Sequence, residues 1–307
     1  NNKFGVPLSL FNLKKNDDFG VFEIGMDKKG EIDYLSKIIK PDVGVITNIS
    51  YAHIRNFKNL NQVALAKSEI INNIKNDGYL VLNQDDNFYN FHKKIGLKKN
   101  LKILSFSLNN KKATTNLVSI SKEKSKYKIC ININKIKKNF YFNSFFENDL
   151  KNLLATITII SIFKDIHILD KNIFYDHKII SGRGDIVKVR LFKKFFYLID
   201  ESYNSNPLSL KSALKNFDMI KVDNSKKHLV LGDMLELGKY SKKLHMEIGK
   251  SINKTSLKNI NVIGEHVKWV FRNLNKSKRG IIIRKKSQII DLIKNNLNNN
   301  DYLMIKG

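Results

Sequence analysis

Residues 41–74, PDVGVITNISYAHIRNFKNLNQVALAKSEIINNI, admit few folds. Residues 43–49 are a short, nearly continuous apolar run, the pattern of a strand covered on both faces. A loop carrying His53 follows, and from about Asn61 the apolar residues recur at helical spacing. On that helix Val63, Lys67, Ile70, Ile71 and Ile74 share one face, so Lys67 sits inside an apolar stripe. A bare ammonium there is costly unless it is paired or chemically changed. Two readings follow. The side chain snorkels out at the edge of the stripe, or the amine is held neutral and used.

The same alternation of short strand and helix runs through most of the chain and predicts an α/β fold with parallel sheets and crossover helices. Residues 1–13 read as a loop with Gly5 and Pro7, and 19–25 as a strand carrying Glu23. A helix is expected over 31–39, strands over 79–82 and 101–107, and a helix between those two. From Thr114 the texture changes. Runs at 114–121, 127–134 and 139–145, separated by Lys- and Asn-rich turns, read as an antiparallel meander at the edge of the first sheet. A helix over 147–163 closes this first domain, 1–178. A second, Rossmann-like domain, 179–307, is expected with strands at 186–192, 195–200, 228–232, 261–263, 280–284 and 302–305. Its helices are expected at 208–219, 242–252, 267–273 and 287–297. It lacks a G-x-G-x-x-G fingerprint, so no dinucleotide site is assigned to it.

At 307 residues the chain has room for two domains, and 42% hydrophobic content suffices for two cores. Its formal net charge of +27 raises the question of a nucleic-acid partner. The lysines, however, are spread along the chain beside abundant Asn and Ile, without arginine clusters or aromatic–basic alternation. A polyanionic substrate such as a nucleotide fits as well, and no nucleic-acid partner is assigned. The single Cys130 excludes an internal disulfide framework and a cysteine metal cluster. The most apolar helix, around 153–163, is too short to span a bilayer, no signal peptide is visible, and the cytoplasm is the default location. The chain opens on Asn1-Asn2 without an initiator Met and ends at Lys306-Gly307 after an apolar run, so both ends read as cut.

In open α/β sheets ligands bind beyond the carboxyl ends of the strands. The residues expected there are Glu23, Asn48 with His53 just beyond, Asp200, Asp233 and Lys306, and together they point to a ligand cleft. Glu23 and His53 are types that hold a hard divalent ion such as Mg²⁺, which keeps waters and substrate phosphates in its shell. Lysine is no ligand while protonated. A deprotonated amine can add carbon dioxide and become a carbamate, and burial favours the neutral amine this requires. The alternative leaves Glu23 as an edge carboxylate and His53 as a loop histidine.

Seven segments in order, GVFEIGMDKKGEI, VITNISYAH, ALAKSEI, NQDD, SGRGD, DESYNSNPLSLKSAL and GDMLELG, resemble the Mur ligase family of peptidoglycan synthesis. NNKFGVPLSL and DESYNSNP are most similar to the branch that adds D-alanyl-D-alanine. The resemblance covers the whole chain. It implies a central ATPase domain of P-loop type followed by a C-terminal Rossmann-like domain. It also implies an N-terminal domain and a G-x-x-G-K-T phosphate loop that are absent from this sequence, so both domains are expected to be truncated and this fragment alone inactive.

The implied reaction is ATP-dependent ligation of D-alanyl-D-alanine to UDP-N-acetylmuramoyl-tripeptide through an acyl phosphate. By the same resemblance, Glu23 and His53 are magnesium ligands and Lys67 is a carbamylated lysine. Asn148 and Asn152 approach the adenine, Arg183 and Asp200 contact the nucleotide, and Tyr203 and Asn204 lie beside them. Asn2, Asn206 and Lys306 are substrate contacts. Three departures stand out: Glu147 replaces a His before Asn148, Ser181-Gly182 replaces Pro-Gly before Arg183, and Arg55 stands where Glu is common. A related Mur-type or folylpolyglutamate-type amino acid ligase, a non-catalytic module of the same fold, and a basic nucleic-acid binder are the alternatives.

Overall fold

The computed structural model describes every residue except His53, Ser125, Lys178 and Ile179. The chain forms two compact units. One comprises Asn1–Ile49 and Asn56–His177, the other Ser50–Arg55 and Lys178–Gly307.

The first unit contains α1 (Gly5–Phe11), α2 (Glu31–Ile39), β1 (Val43–Ile46), α3 (Leu60–Asn72), β2 (Tyr79–Asn83) and α4 (Tyr89–Lys98). It continues with β3 (Lys102–Ser107), β4 (Thr115–Glu123), β5 (Lys126–Ile133), β6 (Ile136–Phe142) and α5 (Glu147–Phe163). Its sheet has the order β1-β2-β3-β4-β5-β6. The pairs from β1 to β4 are parallel, and β4, β5 and β6 form the antiparallel meander expected from the turn-rich segment. Parallel neighbours need a crossover, which α3 supplies between β1 and β2 and α4 between β2 and β3. Leu80, Val81 and Leu82 of β2 are fully buried, as a strand covered on both faces requires. On the meander the pattern alternates instead. Ile129, Ile131 and Ile133 of β5 point into a core closed by Leu150, Leu153 and Ile157 of α5.

Two expectations for the first residues are corrected. Residues 1–13 are not a plain loop, because α1 winds within them. Pro7 falls in the first turn, where a missing N–H breaks no intrahelical bond, and Asn2 Oδ1 accepts from the N–H groups of Phe4 and Gly5 at 3.0 and 3.1 Å. Residues 19–25 form no strand. An apolar run becomes a strand only by pairing, and the backbone here makes a single hydrogen bond among the described residues, from Gly25 N–H to the Asn1 carbonyl at 2.8 Å. Val21 is accordingly 97% exposed. Glu23 therefore lies in an unpaired segment and does not close a strand.

The second unit contains β7 (Asp185–Leu191), β8 (Lys194–Glu201), α6 (Pro207–Asp218), β9 (Lys227–Leu231) and α7 (Ser241–Asn253). It ends with β10 (Ile260–Ile263), α8 (Lys268–Arg272), β11 (Arg279–Ile283), α9 (Ser287–Asn296) and β12 (Tyr302–Lys306). The sheet order is β11-β10-β9-β12-β8-β7, parallel throughout except for the β7–β8 hairpin. β9 is buried along its length, and Phe196, Val230, Leu297 and Leu303 centre a core on this sheet. Among the described residues no helix is long and apolar enough to cross a membrane.

Candidate functional site

Lys67 lies in the middle of α3. The helix is started by Asn59, whose side chain accepts from Gln62 N–H at 3.1 Å. Val63 and Ile71, one turn to either side of Lys67, are fully buried. The buried face is wider than the predicted stripe, since Ala64, Ser68 and Glu69 are also covered, and Ile74 is buried beyond the helix end. Glu69 has a specific partner: its carboxylate accepts from Gly30 N–H at 2.8 Å and Asp33 N–H at 3.2 Å, capping α2 from α3. Lys67 itself is half-buried. Its Nζ donates to the Asn48 carbonyl at 2.9 Å, so the amine is directed at the end of β1 and not into solvent. Burial pushes its pKa below the ordinary lysine value, and the charge of Asp86 opposes that shift.

β1 pairs only as far as Ile46, short of the predicted end at residue 49. Residues 47–49 are held by side chains from the NQDD segment that ends β2. Asn83 Nδ2 donates to the Thr47 carbonyl at 3.0 Å, and Ile49 N–H donates to Asp86 Oδ2 at 2.8 Å. Nearby, the buried His92 of α4 places Nε2 at 3.0 Å from the Ala64 carbonyl. Burial lowers the pKa of His92, while Asp86 raises it and Lys67 lowers it. Neither Asp86 nor His92 was assigned a role from sequence. The NQDD string at a strand end was the available signal for the first. Nothing in its spacing distinguished the second.

Of the expected magnesium ligands, Glu23 is exposed and its carboxylate makes no hydrogen bond or ion pair among the described residues. His53 lies outside the described residues. Among the described residues no group of three or more His, Cys, Asp or Glu side chains is gathered to hold a metal. A free carboxylate fits a hard cation, and so would the Lys67 nitrogen once converted to an oxygen-bearing anion. Asn148 and Asn152 stand one turn apart on α5, both exposed and with side chains that bond to none of the described residues. Asn2, by contrast, uses its side-chain oxygen on the start of α1.

In the second unit the carboxyl ends of β8, β12 and β9 lie side by side, with Lys306 in register with Glu201 on one side and Leu231 on the other. Asp200, Lys306 and Asp233 are therefore neighbours along one sheet edge. Arg183 sits between Gly182 and Gly184, whose φ angles of +80° and +102° are in the left-handed region that favours glycine. That turn is pinned by Gly184 N–H to the Asp200 carbonyl at 2.7 Å and Tyr203 N–H to the Gly182 carbonyl at 3.1 Å. The Arg183 guanidinium rests 4.4 Å from the centre of the Tyr203 ring and has no carboxylate partner among the described residues. The Asp200 carboxylate accepts from Ser202 N–H at 3.0 Å and Ser202 Oγ at 2.6 Å. Asn204 is exposed. Asn206 caps α6 in a reciprocal box with Ser209 and is followed by Pro207 at the first helical position.

Lys306 differs from its expected role. It is 2% exposed, and Nζ donates to Asn204 O at 2.8 Å, Glu201 Oε2 at 3.1 Å and Glu201 O at 3.3 Å. All three donors are spent on holding the loop after β8, which leaves none for a substrate.

Comparison with known proteins follows the same division. Residues 1–160 match the model of the Mur ligase middle domain, and residues 182–307 match that of the Mur ligase, glutamate ligase domain. The UDP-N-acetylmuramoyl-tripeptide--D-alanyl-D-alanine ligase of Rickettsia prowazekii is 30% identical over 100% of this chain and 67% of its own length. The enzyme of that name from Buchnera aphidicola of Acyrthosiphon pisum is 33% identical over 96% of this chain and 66% of its own. Among solved structures, MurF from Acinetobacter baumannii aligns with a TM-score of 0.85 at 24% identity, over 100% of this chain and 65% of the other. MurF from Thermotoga maritima in complex with ADP aligns with a TM-score of 0.84 at 22% identity, over 100% of this chain and 68% of that one. The chain thus spans about two thirds of the length of the relatives it matches. With a family model covering more than half of its residues and the fold of its two units in agreement, the chain belongs to the Mur ligase family.

Proposed function

We propose that this chain is the central and C-terminal part of an ATP-dependent ligase that joins D-alanyl-D-alanine to UDP-N-acetylmuramoyl-tripeptide in the cytoplasm. The first unit would be the ATPase domain, with its boundary near residue 178, and the second the C-terminal domain. The names of the relatives support the substrates. The observation that carries the chemistry is the Lys67 amine, directed inward at the Asn48 carbonyl and made less basic by burial.

A neutral amine adds carbon dioxide with loss of a proton and becomes a carbamate, which supplies oxygen donors where the ammonium supplied none. Glu23, His53 and the Lys67 carbamate would hold Mg²⁺, which when bound neutralises charge on the phosphate oxygens. The substrate carboxylate attacks the γ-phosphorus of ATP, ADP leaves, and an acyl phosphate forms. The amine of D-alanyl-D-alanine then attacks the acyl carbon, and phosphate departs as the amine loses its proton. This chemistry depends on positioning and charge neutralisation more than on covalent help from the protein. Among the described residues the amides of Asn148 and Asn152 are unbonded, which suits them to the edge of a base, and Arg183 has no carboxylate partner, which suits it to a phosphate or developing anion. The Tyr203 ring lies against the Arg183 guanidinium. Asp200 and Asn204 belong to the same turn, and the Asn206 amide nitrogen, unbonded among the described residues, would be available to substrate.

Lys67→Ala in the complete ligase tests this. Phosphate release in the presence of ATP, tripeptide precursor and D-alanyl-D-alanine should fall at least ~100-fold, and added bicarbonate should not restore it. Turnover near that of the parent rejects the role of Lys67. Release that depends on glutamate or another single amino acid, and not on the dipeptide, assigns the chain to a related ligase.

A further inference from the structure

The Asn48–Ile49 peptide is gripped from both sides. Its carbonyl accepts from Lys67 Nζ at 2.9 Å, and its N–H donates to Asp86 Oδ2 at 2.8 Å. A trans peptide points these two groups in opposite directions, and the described backbone contains no cis bond. Asp86 and Lys67 therefore stand at opposite edges of one peptide, roughly in its plane. The second carboxylate oxygen of Asp86 accepts from Phe88 N–H at 2.8 Å, which fixes the carboxylate itself. The preceding peptide is held as well, since the buried Asn83 donates to the Thr47 carbonyl at 3.0 Å. Sheet pairing has ended by then, so nothing in the ladder orients residues 47–49.

We infer that Asp86 is a positioning residue for Lys67, acting through the Asn48–Ile49 peptide. The carboxylate turns that amide so that its carbonyl meets the amine, and it polarises the amide in the direction that strengthens the carbonyl as an acceptor. Among the described residues both carboxylate oxygens of Asp86 are taken by backbone N–H groups, those of Ile49 and Phe88, so its part is that of a positioning group. The inference rests on the proposed use of Lys67, but the geometric coupling is independent of it. Asp85 provides an internal control. It belongs to the same turn and has comparable bonds, from Ser107 Oγ at 2.6 Å and Leu108 N–H at 2.7 Å, yet none to residues 47–49.

The test compares Asp86→Asn with Asp85→Asn in the complete ligase. Asp86→Asn should lower kcat ~10–100-fold with KM for ATP and dipeptide within about twofold, because a misdirected group costs rate more than binding. Asp85→Asn should leave kcat within about twofold even where it lowers the unfolding temperature as much. Equal losses of kcat in the two variants would overturn the inference and make the turn a simple brace. A second readout needs no ligase activity. Acetic anhydride labelling of this chain, read as peptide mass with the exposed Lys37 as reference, should modify Lys67 several-fold faster in Asp86→Asn, where the amine is released, and at the parent rate in Asp85→Asn. Unchanged labelling of Lys67 in Asp86→Asn overturns the inference whatever the substrates prove to be. Asp86→Ala, which keeps no acceptor for either the Ile49 or the Phe88 N–H, replaces Asp86→Asn if the latter does not fold, with the same expected outcomes.

Discussion

At the scale of single residues, Lys67 and Lys306 show how far sequence spacing reaches. Both are lysines in apolar surroundings at a strand end or on a helix facing one. Periodicity placed Lys67 on the buried face of α3, and that is where its stem lies. The resemblance placed Lys306 at a substrate, whereas its three donors are consumed by Glu201 and Asn204. The difference lies in partners more than 100 positions away in the chain, which no local pattern contains. Lys306→Met should therefore loosen the loop after β8 without removing a substrate contact. Breaking a buried pair from one side costs about 3–5 kcal/mol, and the amides of Ser202 and Tyr203, now bonded to Asp200 Oδ1 and the Gly182 carbonyl, should exchange faster. Hydrogen exchange on the purified chain measures this. Unchanged protection of those amides would show that Lys306 does not hold the loop.

At the scale of elements, the sheet and most helices were legible because burial on two faces, burial on one face and helical periodicity each leave a different apolar rhythm. β2 is a nearly continuous run, β9 ends in one at Leu229–Leu231, β5 alternates, and α2, α5 and α9 carry one apolar side. What was not legible is what depends on a neighbour. Residues 19–25 have the composition of a strand but no sheet partner among the described residues, so they stay without regular structure and largely exposed. α2 has no capping side chain of its own, and its first turn is satisfied by Glu69 from the following helix. Glu69 also places a negative charge at the positive end of α2. Glu69→Ala should destabilise the first unit by about 0.5–2 kcal/mol, the range for a lost N-cap, with Glu69→Gln intermediate because it keeps one acceptor and loses the charge. Denaturation followed by helical circular dichroism would rank the three proteins, and a Gln variant no better than Ala would refute the part assigned to the oxygen acceptor.

At the scale of the whole molecule, the chain is strongly basic, and its pH response depends on buried histidines that composition cannot rank. His228 and His245 both belong to the second unit. Each has its pKa lowered chiefly by burial. Asp301, 3.2 Å from His228 Nε2, opposes that shift for His228. For His245 the Ser241 carbonyl and Asp233 oppose it, while His266 adds to it. His245 Nε2 accepts from Met234 N–H at 3.1 Å, and Nδ1 lies 2.8 Å from the Ser241 carbonyl, so the neutral ring with its proton on Nδ1 satisfies both sides. A second proton would break the Met234 bond. Because the folded pKa is the lower one, the unfolded chain binds protons more readily. Stability is thus complete above about pH 6.5, the value for a free imidazole, and is lost as pH falls through that value toward the folded pKa. Two histidines allow a slope of at most about 2.7 kcal/mol per pH unit. Trp269 is the only tryptophan and lies on α8 in the second unit, so its fluorescence reports this unit. Urea midpoints should fall between pH 7.5 and 5.5, and His245→Gln should remove up to half of that dependence. A midpoint flat across this interval in the parent, or a His245→Gln curve parallel to the parent's, would show that these rings do not link folding of the second unit to protons.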